Sequence, residues 1–457
     1  MIPDHTARRL AEFVAGLRFE DIPVKTVEKA KQLVLDIVRL ALIGSRLPCG
    51  ERTREVFRQI GGKEESTVLA FGDRLPAPNA AYVNGTAAHG LENDDTHVAA
   101  IHHPGVTIIP AVLAVAERQG FSGKALLKGV IAGYEVMIRL GVALSPSLLG
   151  DRGFHPTAVI GHFGAAAGVA NLLELSAAET AHALGIAAAY ASGLENWLSG
   201  GMIKSIHAGK AAKAGVEAAL LAEAGITGPK EIFEGKNGFC HGFTNSYDLH
   251  MITAELGTEW KTDEVHLKPH ATCRHTQACI EAAATIAAEH NLGPEDLTSV
   301  EVYTSPLMGK LLANLAPTDV IEAQSSMPFT VATALFKGGA QVLKDFVLFD
   351  DIVQAQKNSD VLSLAKRIQL KADTAFNPQT GEGRVTIRVK DGQVYTKQVD
   401  VIRGSPDNPF TMGEVRDRFL AQARCVLPID QLIEAADLII RLESVTKIEE
   451  VTRLLHR

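Results

Sequence analysis

Between Glu92 and His103 the chain crowds together ionisable and hydroxyl side chains: Glu92, Asp94, Asp95, Thr96, His97, His102 and His103, closed by Pro104-Gly105. Three other places hold similar side chains beside glycine, proline or a helix start: Gly153-Phe154-His155-Pro156, Lys204-Ser205-Ile206-His207, and the run His266-Leu267-Lys268-Pro269-His270-Ala271-Thr272-Cys273-Arg274-His275. Histidine exchanges a proton near neutral pH, and lysine offers a compact positive charge to a carboxylate. Such a set suits removal of a proton next to a carboxylate, where negative charge gathers as the bond breaks. One histidine takes that proton and another delivers one to a leaving hydroxyl. Lys204 adds a hint of its own. A helix start slightly disfavours a cation, so an anion is expected nearby.

A metal reading has to be weighed, because Asp94, Asp95, His97, His102 and His103 are close in sequence. There is no HExxH, no paired-cysteine motif and no EF-hand loop, so no metal is expected. The P-loop, the dinucleotide glycine fingerprint and the GxSxG elbow are also missing, so no cofactor is expected.

The elements that must position these residues are mostly helices. Apolar spacing predicts helices over 6–19 and 24–44, with Pro23 between them, and a third around 51–60. A short extended stretch follows at 66–72, then helices over about 106–119 and 123–146. From 153 onward Gly and Ala recur three and four residues apart, which predicts closely packed helices. The stretch 235–242 reads as a loop long enough to reach across a cleft. The pattern then changes: a helix over 273–290, a strand over 297–305, a helix near 318–337, and three strands within 367–404, two of them joined by Asp391-Gly392. Amphipathic helix returns at the end. The expected fold is therefore mainly α. Residues 1–265 with 408–457 form a large all-helical domain, and 266–407 a smaller α+β domain.

The chain of 457 residues is 46% hydrophobic and 21% charged, which suits a compact protein of more than one core. A net charge of −8 without a basic run argues against a nucleic-acid partner. No apolar run approaches the roughly 18 residues of a membrane span, and the start lacks a signal-peptide core. The five scattered cysteines fit a reducing compartment, so a cytoplasmic location is expected.

Several long blocks, in order, resemble the MmgE/PrpD family: GTAAHGLENDDTH, HPGVTIIPAVLAVAE, GFHPTAVIGHFGAAAGVANLLEL, KSIHAGKAAKAGVEAALLAEAGITGP and KPHATCRHTQACIEAA. The resemblance implies a metal-free enzyme, a homodimer, and a helical domain carrying the α+β domain as a lid. It also implies a small di- or tricarboxylate substrate. By position it puts His103, His155, Lys204 and Lys268 in the catalytic set. Glu92, Asp94, Thr96, Cys273 and Phe329 are the expected substrate contacts. His103 is expected as the base, with the start of the following helix facing an anionic substrate, and His155 as the acid. The two lysines would bind carboxylates. Cys273 stands where the family's decarboxylases resemble one another in having histidine, and Phe329 where tyrosine is common. These departures make a decarboxylase the last of the family's three activities. A dehydratase is the expected activity, and an epimerase, which loss of a leaving-group acid at 273 or 329 would favour, is the alternative. A non-catalytic helical scaffold comes last of all.

Overall fold

The computed structural model describes residues 6–196, 200–377 and 380–457. The chain is mainly helical. Helices α1 (Thr6–Gly16), α2 (Val24–Gly44) and α3 (Pro48–Ile60) lead to a short antiparallel pair, β1 (Ser66–Thr67) and β2 (Arg74–Leu75). Then come α4 (Ala77–Ala88), α5 (Gly105–Gln119), α6 (Gly123–Leu144), α7 (Ser147–Gly150), α8 (Pro156–Leu172), α9 (Ala177–Tyr190) and α10 (Ile203–Glu223). Two short helices, α11 (Phe239–Phe243) and α12 (Leu249–Thr253), complete this half.

The small-residue stripes are contact faces. A Cβ on Gly133 of α6 would stand 2.7 Å from the carbonyl oxygen of Gly164 on α8. A Cβ on Gly209 of α10 would lie 2.2 Å from Thr86 Oγ1 on α4. Any side chain there would force apart helices whose ends carry the ionisable residues.

The second half begins with α13 (Gln277–Glu289), β3 (Leu297–Thr304), α14 (Pro306–Leu311), α15 (Val320–Gln324) and α16 (Met327–Lys337). It continues with α17 (Gly339–Asp345), α18 (Phe349–Ala355), α19 (Ser359–Arg367), β4 (Ile368–Ala372), β5 (Gly383–Val389) and β6 (Val394–Val399). The sheet order is β4-β3-β5-β6, with β3 parallel to β4 and antiparallel to β5. Val300 and Val302 of β3, with Val385 and Ile387 of β5, turn inward to an apolar core shared with α13 and α16. This core draws on residues 278–402. The other core draws on residues 7–267 and on 410–455, because α20 (Met412–Ala423) and α21 (Ile429–Ile440) pack on α2. The chain ends after α22 (Glu449–Thr452).

Three expectations need correction. The helical half is not all-helical, since β1 and β2 pair beside α5, with Ser66 Oγ donating to the Ala114 carbonyl. The stretch 235–242 does not reach across a cleft. Its end winds into α11, and Phe239 packs on Phe163 with ring centroids 4.7 Å apart. The helix expected near 318–337 is two, because Pro328 belongs in a first turn. Ser326 caps the new start by accepting from the Phe329 N–H at 3.1 Å. Among the described residues no helix is long and apolar enough to cross a membrane.

Candidate active site

Five segments bring the ionisable residues together: the turn after α4, the residues leading into α5 and α8, the first turn of α10, and the link 266–273 between the two cores. The loop 92–103 divides its side chains. His97 pairs outward with Glu264 at 3.0 Å, and His102 donates from Nε2 to the Met137 carbonyl at 3.1 Å. Asp94, Thr96 and His103 turn inward. Among the described residues no three His, Cys, Asp or Glu side chains gather as ligands of one metal ion.

At one end of the cluster, Glu92 meets both lysines. Its Oε2 accepts from Lys204 Nζ, and its Oε1 accepts from Lys268 Nζ at 2.9 Å. Lys268 Nζ also donates to the Glu92 carbonyl at 3.2 Å and lies 3.8 Å from Asp94 Oδ1. The anion that the position of Lys204 called for is therefore Glu92. All these groups are enclosed. Side-chain exposure is 4% for Lys204, 0% for Lys268 and 12% for Glu92. Burial, and for Lys204 also the charge of Lys268, lowers both lysines below their ordinary value.

At the other end are four histidines. His103 Nδ1 lies 2.8 Å from the Asp95 carbonyl, 3.1 Å from Thr96 Oγ1 and 3.4 Å from Asp94 Oδ2. A carbonyl only accepts, so the ring hydrogen belongs on Nδ1 and the lone pair on Nε2. Burial lowers the pKa of His103, partly opposed by Asp94, and this keeps the ring neutral near pH 7. His89 donates from Nδ1 to Asp94 Oδ2 at 2.7 Å, and its Nε2 has no hydrogen-bond partner among the described residues. The His89 ring sits between those of His103 and His155, with centroids 5.3 and 5.9 Å away. His155 and His207 share one hydrogen between their Nδ1 atoms at 3.0 Å. Burial lowers His89 and His155 well below the usual range and takes His207 to about 4.

The supporting contacts explain how the cluster keeps its shape. Asp95 accepts from Tyr134 Oη at 2.7 Å and from the Gly105 N–H at 3.0 Å, and burial raises its carboxyl to about 7. This corrects one expectation: the first N–H of α5 is taken by Asp95 rather than turned toward a substrate. The His103 N–H donates to Thr157 Oγ1 at 3.1 Å, which ties α5 to α8. The Lys268 carbonyl accepts from Asn93 Nδ2 at 3.0 Å and from Arg418 Nη2 at 2.8 Å. From the second core, Gln324 Nε2 donates to the Leu91 and Ala271 carbonyls at 2.8 and 2.9 Å.

Of the expected residues, His103, His155, Lys204, Lys268, Glu92, Asp94 and Thr96 all belong to this cluster. Cys273 is half-buried, with its sulfur 4.0 Å from His275 Nδ1. Phe329 is a fully buried member of the second apolar core. His89, Tyr134 and Gln324 were not foreseen, and Asp95 and His207, although they stand in the runs singled out in the sequence, were given no role. A signal existed for His207, which lies three residues after Lys204 and so shares its helix face.

Residues 8–252 match the MmgE/PrpD N-terminal domain, and residues 270–442 match the MmgE/PrpD C-terminal domain. The chain belongs to the MmgE/PrpD family. Its similar relatives include the cis-aconitate decarboxylase-like protein oryM of Aspergillus oryzae, 28% identical across 98% of this chain and 96% of the relative. The cis-aconitate decarboxylase of Aspergillus terreus is 28% identical across 98% and 95%. The human cis-aconitate decarboxylase is 27% identical across 97% and 93%. The C-terminal family segment includes α20 and α21, whose apolar faces join the first core.

Proposed function

We propose that this MmgE/PrpD protein is a lyase that acts on a small di- or tricarboxylate and removes water from it. The observation that carries the reading is His103. It is a neutral imidazole, 14% exposed, with its hydrogen held on Nδ1 and its lone pair on Nε2, in a cluster that also holds two lysines. His103 Nε2 takes the proton from the carbon next to a substrate carboxylate. The electron pair left behind forms the carbon–carbon double bond as the neighbouring carbon–oxygen bond breaks. The leaving hydroxyl takes a proton from His155 and departs as water.

This last step needs an imidazolium, yet burial keeps His155 neutral in the free protein. The carboxylates that enter with the substrate bring the negative charge that favours it. Lys204 and Lys268 bind those carboxylates and hold the charge of the transition state in a site shielded from water. Thr96 and Asp94, both near Nδ1, orient the base.

Decarboxylation is the second reading, because relatives that match nearly the whole chain carry the name cis-aconitate decarboxylase. Cys273 weighs against it, since it stands where the decarboxylase pattern supplies a histidine. The deciding experiment follows citrate, 2-methylcitrate, cis-aconitate and iminodisuccinate by proton NMR in deuterated water. New olefinic protons with loss of the hydroxy acid indicate dehydration, and carbon dioxide from cis-aconitate indicates decarboxylation. Deuterium uptake without net change indicates epimerisation. No change with any of the four would sink the reading.

A further inference from the structure

We propose that Glu92 holds the place of a substrate carboxylate, so that it acts as a tethered competitor that sets which acids the site accepts. Each oxygen of its carboxylate meets a different lysine, Oε1 with Lys268 and Oε2 with Lys204. That is the arrangement a bound carboxylate would adopt between two ammonium groups. The backbone supports this placement. Glu92 has φ 54, a left-handed conformation uncommon outside glycine, asparagine and aspartate, and it turns the side chain back onto both lysines. The same carboxylate brings one negative charge between two buried positive ones, which offsets their mutual repulsion.

The inference rests on reading Lys204 and Lys268 as carboxylate-binding groups. An acid that binds there must displace Glu92, and its apparent affinity is reduced in proportion to the fraction of time that Glu92 stands away from the lysines. A monocarboxylate offers nothing more than Glu92 already supplies, so it is excluded. A di- or tricarboxylate gains further contacts with the neighbouring histidines and displaces it. Glu92 thereby selects against short monoacids without touching the bond that reacts.

The test compares the unmodified protein with E92G and E92Q. Glycine is at ease in the left-handed conformation, so E92G removes the carboxylate without straining the turn, and E92Q keeps the length while losing the charge. Binding of acetate and of tricarballylate is measured by calorimetry and by melting temperature, with circular dichroism as the check on folding. Acetate should bind E92G and E92Q at least about tenfold more tightly than the unmodified protein. The gain should vanish when K268A is added to E92G. Equal acetate affinity in all three proteins would overturn the inference. So would weaker tricarballylate binding by both variants, since Glu92 would then be part of the clasp. Acetate binding needs no turnover, so the result stands apart from whether the protein dehydrates any acid.

Discussion

Acid should unfold this protein sooner than its carboxylates alone would require, because its buried histidines have to stay neutral. His102, His162 and His270 are almost wholly buried, and burial takes each to about 3. His162 is the clearest case, a ring with no solvent exposure at all. In the unfolded chain each would titrate near the ordinary ~6.5. Between the two values the unfolded state binds a proton that the folded state refuses. Stability is therefore complete above about pH 6.5 and is lost as the pH falls toward 3. At pH ~5 the loss is roughly 2 kcal/mol per histidine, or about 6 kcal/mol for the three.

Asp95 works in the opposite sense. Its folded value of about 7 means that the folded state gains a proton first, and this returns roughly 3 kcal/mol between pH ~7 and ~5. The net loss of about 3 kcal/mol is a large share of the ~5–15 kcal/mol that holds a typical protein together. His89, His103 and His155, all lowered, add to it. Urea unfolding at a series of pH values gives the slope directly. His162→Gln should flatten that slope by about one proton, or ~1.4 kcal/mol per pH unit. Stability that stays level from pH 7 to 5, or an unchanged slope in the variant, would refute the reasoning.

On the substrate found in the NMR panel, His103→Ala should lower kcat by at least ~100-fold while the circular dichroism spectrum is kept. Lys268→Ala should act mainly on KM, and kinetics that reverse this pattern would reassign both residues. The acid limb of kcat/KM should lie below pH ~6.5, because burial lowers His103, and a limb above that value would point to a different base. Gly105→Ala should cost about 1–3 kcal/mol, since its Cβ would stand 2.5 Å from Tyr134 Oη and 2.8 Å from Asp95 Oδ1; a melting temperature that does not move would contradict that close fit. Activity should survive exhaustive chelation, and activity lost with a stoichiometric metal and restored with it would overturn the metal-free reading.

The sequence by itself determined most of the elements and marked the ionisable residues that the fold brings together. The helix over Val24–Gly44 ends where its apolar spacing does, and β5 and β6 flank the Asp391-Gly392 turn. Local rules sufficed there, because periodicity and turn residues act within a few positions of themselves. His103, His155, Lys204 and Lys268 were legible for a related reason. Each stands next to a proline or near a helix start, so its neighbours in sequence already suggest a presented side chain. Tertiary structure alone decided the partnerships. Glu92 reaches Lys204 and Lys268 across separations of 112 and 176 residues, and Gln324 reaches Leu91 across 233. It also decided that Asp95, not a ligand, takes the first N–H of α5, and that Phe329 belongs to an apolar core. Whether a charge is solvated, paired or forced neutral depends on what the fold stacks around it. That is set by the approach of helices distant in sequence, for which a single chain read in order carries no local signal.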